Sequence, residues 1–289
     1  RAGRRVPMIY TCDVGRYRLR GSSLGGIHTA IMVPELRVLF DVGHFSRAFV
    51  GADHIFISHG HADHLGSLPS LMGARGLQQK GPPKIYMPEG VEAPLKRALD
   101  AMASLQRYDL TIDAVPMQPG DTTQIGPDLW VRAFRTYHSV PSLGYQLFRR
   151  VKKLKPEFRH LSGDEIRRLR ESGAPIFDVV EQYELAYATD TLPRVLKAEP
   201  MLLESKVLIL ECTFLDERKS RDDARSGGHI HLDDLLDDLP RFQNEHLVLM
   251  HFSQIYEPRE IKEILRAKLP AELVDRVVPF VPPGRCWPL

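Results

Sequence analysis

Short apolar runs closed by polar or turn residues recur along the whole chain, with helical patterns between them. "HTAIMV" (28–33), "LRVLFD" (36–41) and "HIFIS" (54–58) predict three early strands. "HADHLGSLPSLMGARGLQQ" predicts a loop running into a helix, followed by a strand at "KIYM" (84–87) and an amphipathic helix at 91–105. Strand-like runs follow at 110–117, 129–138 and 142–151. The second half repeats the alternation, with strands at 183–190, 205–214, 246–253 and 276–281 and helices at 231–242 and 258–269. Runs such as "VLIL" and "LVLM" have no polar face, so they belong in a sheet covered on both sides. The pattern predicts an α/β chain folded as a layered α/β/β/α sandwich. No repeat or Gly/Ser linker divides it, and 289 residues with 43% hydrophobic content suit one large domain over 1–289.

Charge changes the picture in one place. Between 149 and 170 there are nine Lys/Arg against three acids, a local +6 in a chain whose net charge is +2. Arg149, Arg150, Lys152, Lys153 and Lys155 open this stretch, and they are the candidate contacts to a polyanion. The bland alternative is a solvated, charge-rich face. Within it "SGDEIRRLRESG" predicts a helix capped by Ser162 with Glu165 at capping-box spacing and closed by Gly173. The expectation is a mobile basic arm at about 149–175 carrying one helix.

No apolar run reaches the roughly 18–20 residues that cross a bilayer, and "RAGRRVPMIY" lacks the apolar core of a signal peptide. The expectation is a soluble, cytoplasmic protein with no membrane partner, although a removed targeting segment stays open because the chain begins on Arg1. Cys12, Cys212 and Cys286 form no C-x-x-C pair, which argues against a disulfide framework or a thiolate metal site and for a reducing compartment.

The chemistry concentrates in "SHGHADH". His59, His61, Asp63 and His64 leave the apolar strand "HIFIS" directly, at the edge where open α/β sheets place their ligands. A lone histidine at a strand end is ordinarily hydrogen-bonded or exposed; four metal-capable side chains in six positions are not so explained. Imidazole and carboxylate without thiolate suit Zn²⁺, with Mn²⁺ or Fe as other occupants. Two coordination shells need more ligands, and His138, Asp190 and His251 are expected at the last positions of later strands on the same edge. Asp190 is suited to bridge, because two carboxylate oxygens can reach two cations about 3.5–4 Å apart. His28, His44, His54, His160 and His246 lack such a context.

With those residues in view, the chain resembles the metallo-β-lactamase superfamily, whose strand-ending Asp-x-Gly is similar to "FDVG" (40–43). Within it, "SLGGIHTAI", "YHSVPSLGYQL", "ECTF" (211–214) and "ARSGGHIH" (224–231) resemble the ribonuclease Z family of tRNA 3′-processing endonucleases, over about Gly21 to Phe280. The resemblance implies a four-layered αββα sandwich and a zinc-dependent phosphodiesterase that removes the 3′ trailer of precursor tRNA. It implies two Zn²⁺ per chain, one held by His59, His61 and His138, the other by Asp63, His64 and His251, with Asp190 between them. Asp63 would also orient a water shared by the two cations. Glu211 and His229 match the family's acid pair, His231 being a rival to His229, and family members are commonly homodimers in which one subunit's arm holds RNA for the other. The chain departs from the family in its compact Lys/Arg-rich arm, where only "SGAP" (172–175) is similar to the long Gly-Pro arm of many members. "GARGLQQK" (73–80) stands where some carry a Pro-x-Lys-x-Arg-Asn loop. A phosphodiesterase of another or small substrate, and a thioester, lactone or lactam hydrolase, are the competing readings.

Overall fold

The computed structural model describes residues 8–288. Most of the "RAGRRVP" opening, on which the signal-peptide expectation rests, lies outside those residues. Two seven-stranded sheets stack face to face. The first runs β1 (Tyr10–Val14), β2 (Tyr17–Leu24), β3 (His28–Val33), β4 (Val38–Phe40), β5 (His54–Phe56), β6 (Lys84–Pro88) and β7 (Asp113–Met117), adjacent in sequence order. The second runs β8 (Thr122–Gln124), β9 (Leu129–Arg135), β10 (Leu143–Leu154), β11 (Phe177–Ala188), β12 (Val207–Glu211), β13 (His246–Met250) and β14 (Val277–Pro279). Each sheet begins with antiparallel pairs and ends with parallel ones, the switch falling at β4–β5 and at β11–β12.

Three apolar clusters account for the layering. The middle one fills the space between the sheets, where Phe40 stacks on Tyr187 at 4.5 Å and Phe56 on Tyr86 at 4.6 Å. A second lies under the helices Leu68–Leu77 and Glu92–Gln106 on the outer face of the first sheet. A third lies under Leu232–Asp238 and Pro258–Lys268 on the outer face of the second. Each fully buried Leu, Ile, Val or Phe in these layers contributes about 1.5–3 kcal/mol, so the expected αββα order follows from where the apolar positions fall.

Several elements differ from the pattern's forecast. β1 and β2 are additional strands, β8 is a polar edge of three residues, and β11 begins six residues earlier than 183. β10 and β11 form one long hairpin, buried to Phe148 and alternately exposed from Arg149 onward, with a bulge between Leu147 and Phe148. The segment beyond carries the helix Gly163–Glu171, with the Ser162–Glu165 capping box in place and Gly173 at φ +79° behind it. The arm is thus a continuation of two core strands rather than a tethered insertion.

Two bridges tie the sheets together at one edge. His59 pairs with Ser142, and Gly25 pairs with Ser253. Leu143 N donates to Ser58 O at 2.9 Å and Tyr145 Oη to Ile57 O at 2.7 Å, so the exit of β5 is fixed against the start of β10. That edge is the one to which β5, β11, β12 and β13 all point their carboxyl ends.

Candidate metal centre

Each ligand-type side chain reaches this edge on a turn just past its strand. His138, Asp190 and His251 are not the last strand residues that the apolar runs predict. The ladders end at Arg135, Ala188 and Met250, and the three follow three, two and one positions later. Asp190 at φ +44° and His251 at φ +59° turn through left-handed backbone, which ends the ladder and swings the side chains inward. Glycine makes room on two sides. A Cβ at Gly43 would lie 1.7 Å from Asp63 O, so only glycine lets the "FDVG" turn pass under the histidine loop. Gly228, at φ +77°, would put a Cβ 2.7 Å from His138 Nδ1.

The structure brings all seven residues together. His59, His61, His138 and Asp190 offer ligand atoms within 4.8 Å of one another, and so do Asp63, His64 and His251. His59 Nε2 lies 3.0 Å from His61 Nδ1, and His138 Nε2 lies 3.3 Å from that same Nδ1. On the other side His64 Nε2 and His251 Nε2 are 3.3 Å apart, with Asp63 Oδ2 at 3.4 and 3.9 Å from them. Asp190 divides its oxygens between the two groups. Oδ2 faces His59 (3.7 Å) and His138 (3.8 Å), whereas Oδ1 faces His64 and His251, each at 3.3 Å.

These spacings fit two cations. Donors at ~2.0–2.2 Å from a tetrahedral Zn²⁺ stand roughly 3.3–3.6 Å from each other, and the separations here run from 3.0 to 3.9 Å around that value. His64 Nδ1 donates to Asp41, and His251 Nδ1 donates to Thr213, whose hydroxyl proton goes to Glu211, so in neutral rings the two Nε2 lone pairs face each other and a shared cation resolves a contact that hydrogen bonding does not. The opposite ring atoms are already occupied: His59 Nδ1 by Ser58 Oγ (3.0 Å), His64 Nδ1 by Asp41 Oδ2 (2.8 Å) and His251 Nδ1 by Thr213 Oγ1 (3.1 Å). That fixes each Nε2 toward the centre.

Sequence reasoning gave Asp41, Ser58, Thr213 and Tyr187 no role in this positioning. Asp41, fully buried, accepts from Ser58 N (2.7 Å), Ser58 Oγ (2.8 Å) and Tyr187 Oη (2.6 Å) as well as holding His64. The available signal was "FDVG", an acid closing an apolar strand at no evident packing gain.

Electrostatics agree with ligation. Burial, aided by the neighbouring imidazoles, pushes His59 down to about 2, and burial also lowers His138, so both present lone pairs at neutral pH. Burial works to protonate Asp190, yet His251, His64 and His59 around it hold the carboxyl well below the usual range. Burial likewise opposes ionisation of Asp63, and its hydrogen bonds to His251 and His64 override it. His64 departs from this: burial works to strip its proton, but Asp190 and Asp41 beside it override that and raise it well above its ordinary value, so a cation held there would displace a proton.

Beside it stands a second constellation. Glu211, fully buried, accepts from Thr191 N and Thr213 Oγ1 (both 2.6 Å), from Ile230 N (3.2 Å) and from His229 Nδ1 (3.2 Å). His229 stacks on His251 at 5.4 Å and approaches His138 at 5.6 Å, so its free Nε2 looks into the same space. Burial works to strip its proton, but the charge and hydrogen bond of Glu211 override it and raise the imidazole to about 9. His231 is placed differently. Its Nδ1 accepts from Asp233 N at 3.1 Å as a helix cap and its Nε2 donates to Asp216 O at 3.2 Å, which uses both nitrogens.

The candidate RNA contacts divide. Arg149 pairs with Asp128 at 2.5 Å, and Arg150 lies over Trp130 at 4.0 Å and 3.5 Å from Glu181, so both are committed within the sheet. Lys152 and Lys153 are exposed and Lys155 half-buried, with no ion-pair partner among the described residues. His28 and His44 pack together at 4.9 Å, outside the ligand groups.

Comparison with known proteins places this geometry. The family described as a beta-lactamase superfamily domain matches residues 33–252. The chain is 34% identical to the chloroplastic tRNase Z TRZ2 of Arabidopsis thaliana over 93% of this chain and 76% of that one. It is 36% identical to tRNase Z TRZ1 of the same plant over 90% of this chain and 94% of that one. Among solved structures, the short form of human tRNase Z superposes with a TM-score of 0.55 at 19% identity, covering 93% of this chain and 92% of that one. YhfI of Bacillus subtilis, a metallo-beta-lactamase fold protein, gives 0.62 at 15% identity, over 91% and 95%. Those two likenesses speak for the fold; the sequence identities speak for the family. The chain belongs to the beta-lactamase superfamily and, within it, to the tRNase Z (ribonuclease Z) family.

Proposed function

We propose that this protein is a zinc-dependent endoribonuclease that removes the 3′ trailer of precursor tRNA. The observation that carries the reading is the division of the Asp190 oxygens between two ligand groups, with the Glu211–His229 pair facing the same space. His59, His61 and His138 would hold one cation, Asp63, His64 and His251 the other, and Asp190 both. The all-nitrogen-and-oxygen donor set favours Zn²⁺, two per chain, over Mn²⁺ or Fe. When bound, such cations activate water at neutral pH and neutralise charge on phosphoryl oxygens.

The chain's own residues do the rest. Asp63 Oδ2, set between His64 and His251, leaves its partner oxygen to accept from the attacking water and aim it. His229, kept protonated by Glu211, donates to the departing 3′ oxygen from Nε2. The products are a tRNA ending in a 3′ hydroxyl and a trailer beginning with a 5′ phosphate. A thioester or lactone hydrolase has no need of a buried carboxylate holding an imidazole protonated above neutrality, which favours the phosphodiester reading.

Incubation with a 3′-extended precursor tRNA, a small chromogenic diester and a thioester tests this directly. Cleavage of the first at the acceptor end is expected, and hydrolysis of the thioester alone would overturn the assignment. Folded RNA is gripped mainly through its phosphates and shape. Lys152, Lys153 and Lys155, the uncommitted cations of the arm, are expected to supply that grip. Changing all three to Ala should raise KM for precursor tRNA about tenfold and flatten its salt dependence, with a much smaller effect on the small diester. Equal losses on both substrates would remove the arm from RNA binding.

A second copy of the chain is proposed to cover the apolar patch of Leu77, Met102, Leu105 and Tyr108, exposed by 87%, 41%, 80% and 49%. Tyr108 abuts Gly73 one turn before Leu77, so two helices share the patch. A homodimer by sedimentation, split by Leu77→Asp with Leu105→Asp, is the expected result; a monomeric wild type would sink it. Among the described residues no helix is long and apolar enough to cross a membrane. The three cysteines stand free, which supports a reducing compartment such as the cytoplasm.

A further inference from the structure

A cavity of about 550 Å³ opens beside His138, and Asp63, His64 and His251 take no part in its lining. Two loops build its mouth: the turn after β9, with Arg135, Tyr137 and His138, and the turn after β11, which runs from Asp190 to Arg194. Tyr137 N donates to Thr191 Oγ1 at 2.9 Å, and Thr191 N donates to Glu211. The cavity mouth and the acid pair are therefore joined by one hydrogen-bond chain, through the residue that follows Asp190.

The mouth of the cavity carries two guanidiniums on one ring. The Arg194 guanidinium lies 3.8 Å from the centroid of the Tyr137 ring and that of Arg135 lies 5.4 Å from it. Both arginines are exposed, and among the described residues neither has a carboxylate partner. Their neighbours in the same sheet behave otherwise, Arg132 pairing with Glu181 at 2.7 Å and Arg149 with Asp128. Two exposed guanidiniums on one aromatic ring, with no carboxylate against either, leave their hydrogen-bonding edges available to an anion. Glu89, an acid in the cavity wall, is hydrogen-bonded by Gln118 at 2.7 Å. The remaining walls offer Met117, Pro141 and Leu143 as apolar surface and Thr136 and Ser142 as hydroxyls.

A phosphate for the guanidiniums and a flat apolar body for the walls describe a nucleotide, and cavities of ~300–1,000 Å³ take ligands of that size. Arginine suits both parts, since its planar fork binds phosphate in pairs of hydrogen bonds and its face stacks on rings. We infer that this cavity seats the nucleotide flanking the scissile phosphate, its neighbouring phosphate held between Arg135 and Arg194 and its base against Met117 and Leu143. The inference rests on the endoribonuclease reading, and it assigns that site a nucleotide pocket distinct from the basic arm.

The test uses the metal-loaded wild type, Arg135→Met, Arg194→Met and the double variant, each checked for metal content and melting temperature. Adenosine 5′-monophosphate is titrated as an inhibitor beside inorganic phosphate, and KM and kcat are measured on 3′-extended precursor tRNA. The double variant is expected to raise KM and the nucleotide's inhibition constant at least about tenfold, with kcat changed far less and the phosphate constant moved less than the nucleotide's. Unchanged KM and unchanged nucleotide inhibition overturn the pocket, as does a loss confined to kcat. If the wild type leaves precursor tRNA intact, the endoribonuclease reading fails. Calorimetric binding of adenosine 5′-monophosphate, lost or retained in the double variant, then decides the pocket separately.

Discussion

Asp190→Ala is expected to lower kcat/KM on precursor tRNA by at least about 10³-fold, or roughly 4 kcal/mol of transition-state stabilisation, and to reduce the metal content of the purified chain from two cations toward one or none. The reason is geometric. Among the described residues Asp190 is the one whose two oxygens face both ligand groups, at 3.7 and 3.8 Å on one side and 3.3 Å twice on the other. Its removal leaves three nitrogens in one group and two nitrogens with one carboxylate in the other, and nothing between them. Asp190→Asn supplies the control. Asn tolerates the left-handed backbone at φ +44° better than Ala does, and it keeps one oxygen while losing the charge. The Asn variant should therefore fold as the wild type does, keep part of its metal and still lose most of its activity. Elemental analysis and steady-state kinetics on the same preparations read both quantities. Two cations per chain and full turnover in either variant would refute the bridging role.

The centre was legible in the sequence because its first four members fall within six positions, 59–64, and because the other three each follow an apolar strand. What the apolar pattern could not give is where a ladder stops. Hydrogen-bonded pairing ends when the backbone leaves the extended region, and the left-handed turns at Asp190 and His251 do that without changing hydrophobicity. β1 and β2 went unread for a related reason: "YTCDV" and "YRLRGSSL" interleave charged positions that face solvent, and three polar residues give β8 no apolar signal at all. Helices of four to six residues, such as Val195–Ala198 and Arg221–Ser226, are too short to show a 3.6-residue period. Long-range pairing was the largest blind spot. The density of basic residues marked Arg149 and Arg150 as substrate contacts, but Asp128 reaches them from the turn before β9, and Trp130 and Glu181 from the neighbouring strands, which a local count does not see. Asp41 shows the same gap in reverse, since its buried contacts to Ser58, His64 and Tyr187 come from three separate elements.

His229→Ala separates the acid pair from the ligands it stands among. His229 shares with Asp190 and His251 a grouping close enough to hold an ion, so a ligand role is the rival explanation and metal content decides between them. As a general acid its loss should cost about 10²–10⁴-fold in kcat on precursor tRNA while both cations stay bound. A diester with a p-nitrophenolate leaving group needs no proton on departure and should lose far less. The pH profile carries the same logic. With Glu211 holding the imidazole at about 9, the protonated form dominates at neutral pH, and activity should fall as pH rises through that value. Glu211→Gln removes the negative charge and keeps one acceptor oxygen, for Thr191 N at the Oε1 position or Ile230 N at the Oε2 position but not both, so the imidazole loses its support against burial and the basic limb moves to lower pH. A limb that stays where it was in Glu211→Gln, or a His229→Ala protein that loses a cation together with its turnover on both substrates, would transfer His229 from proton donor to metal ligand.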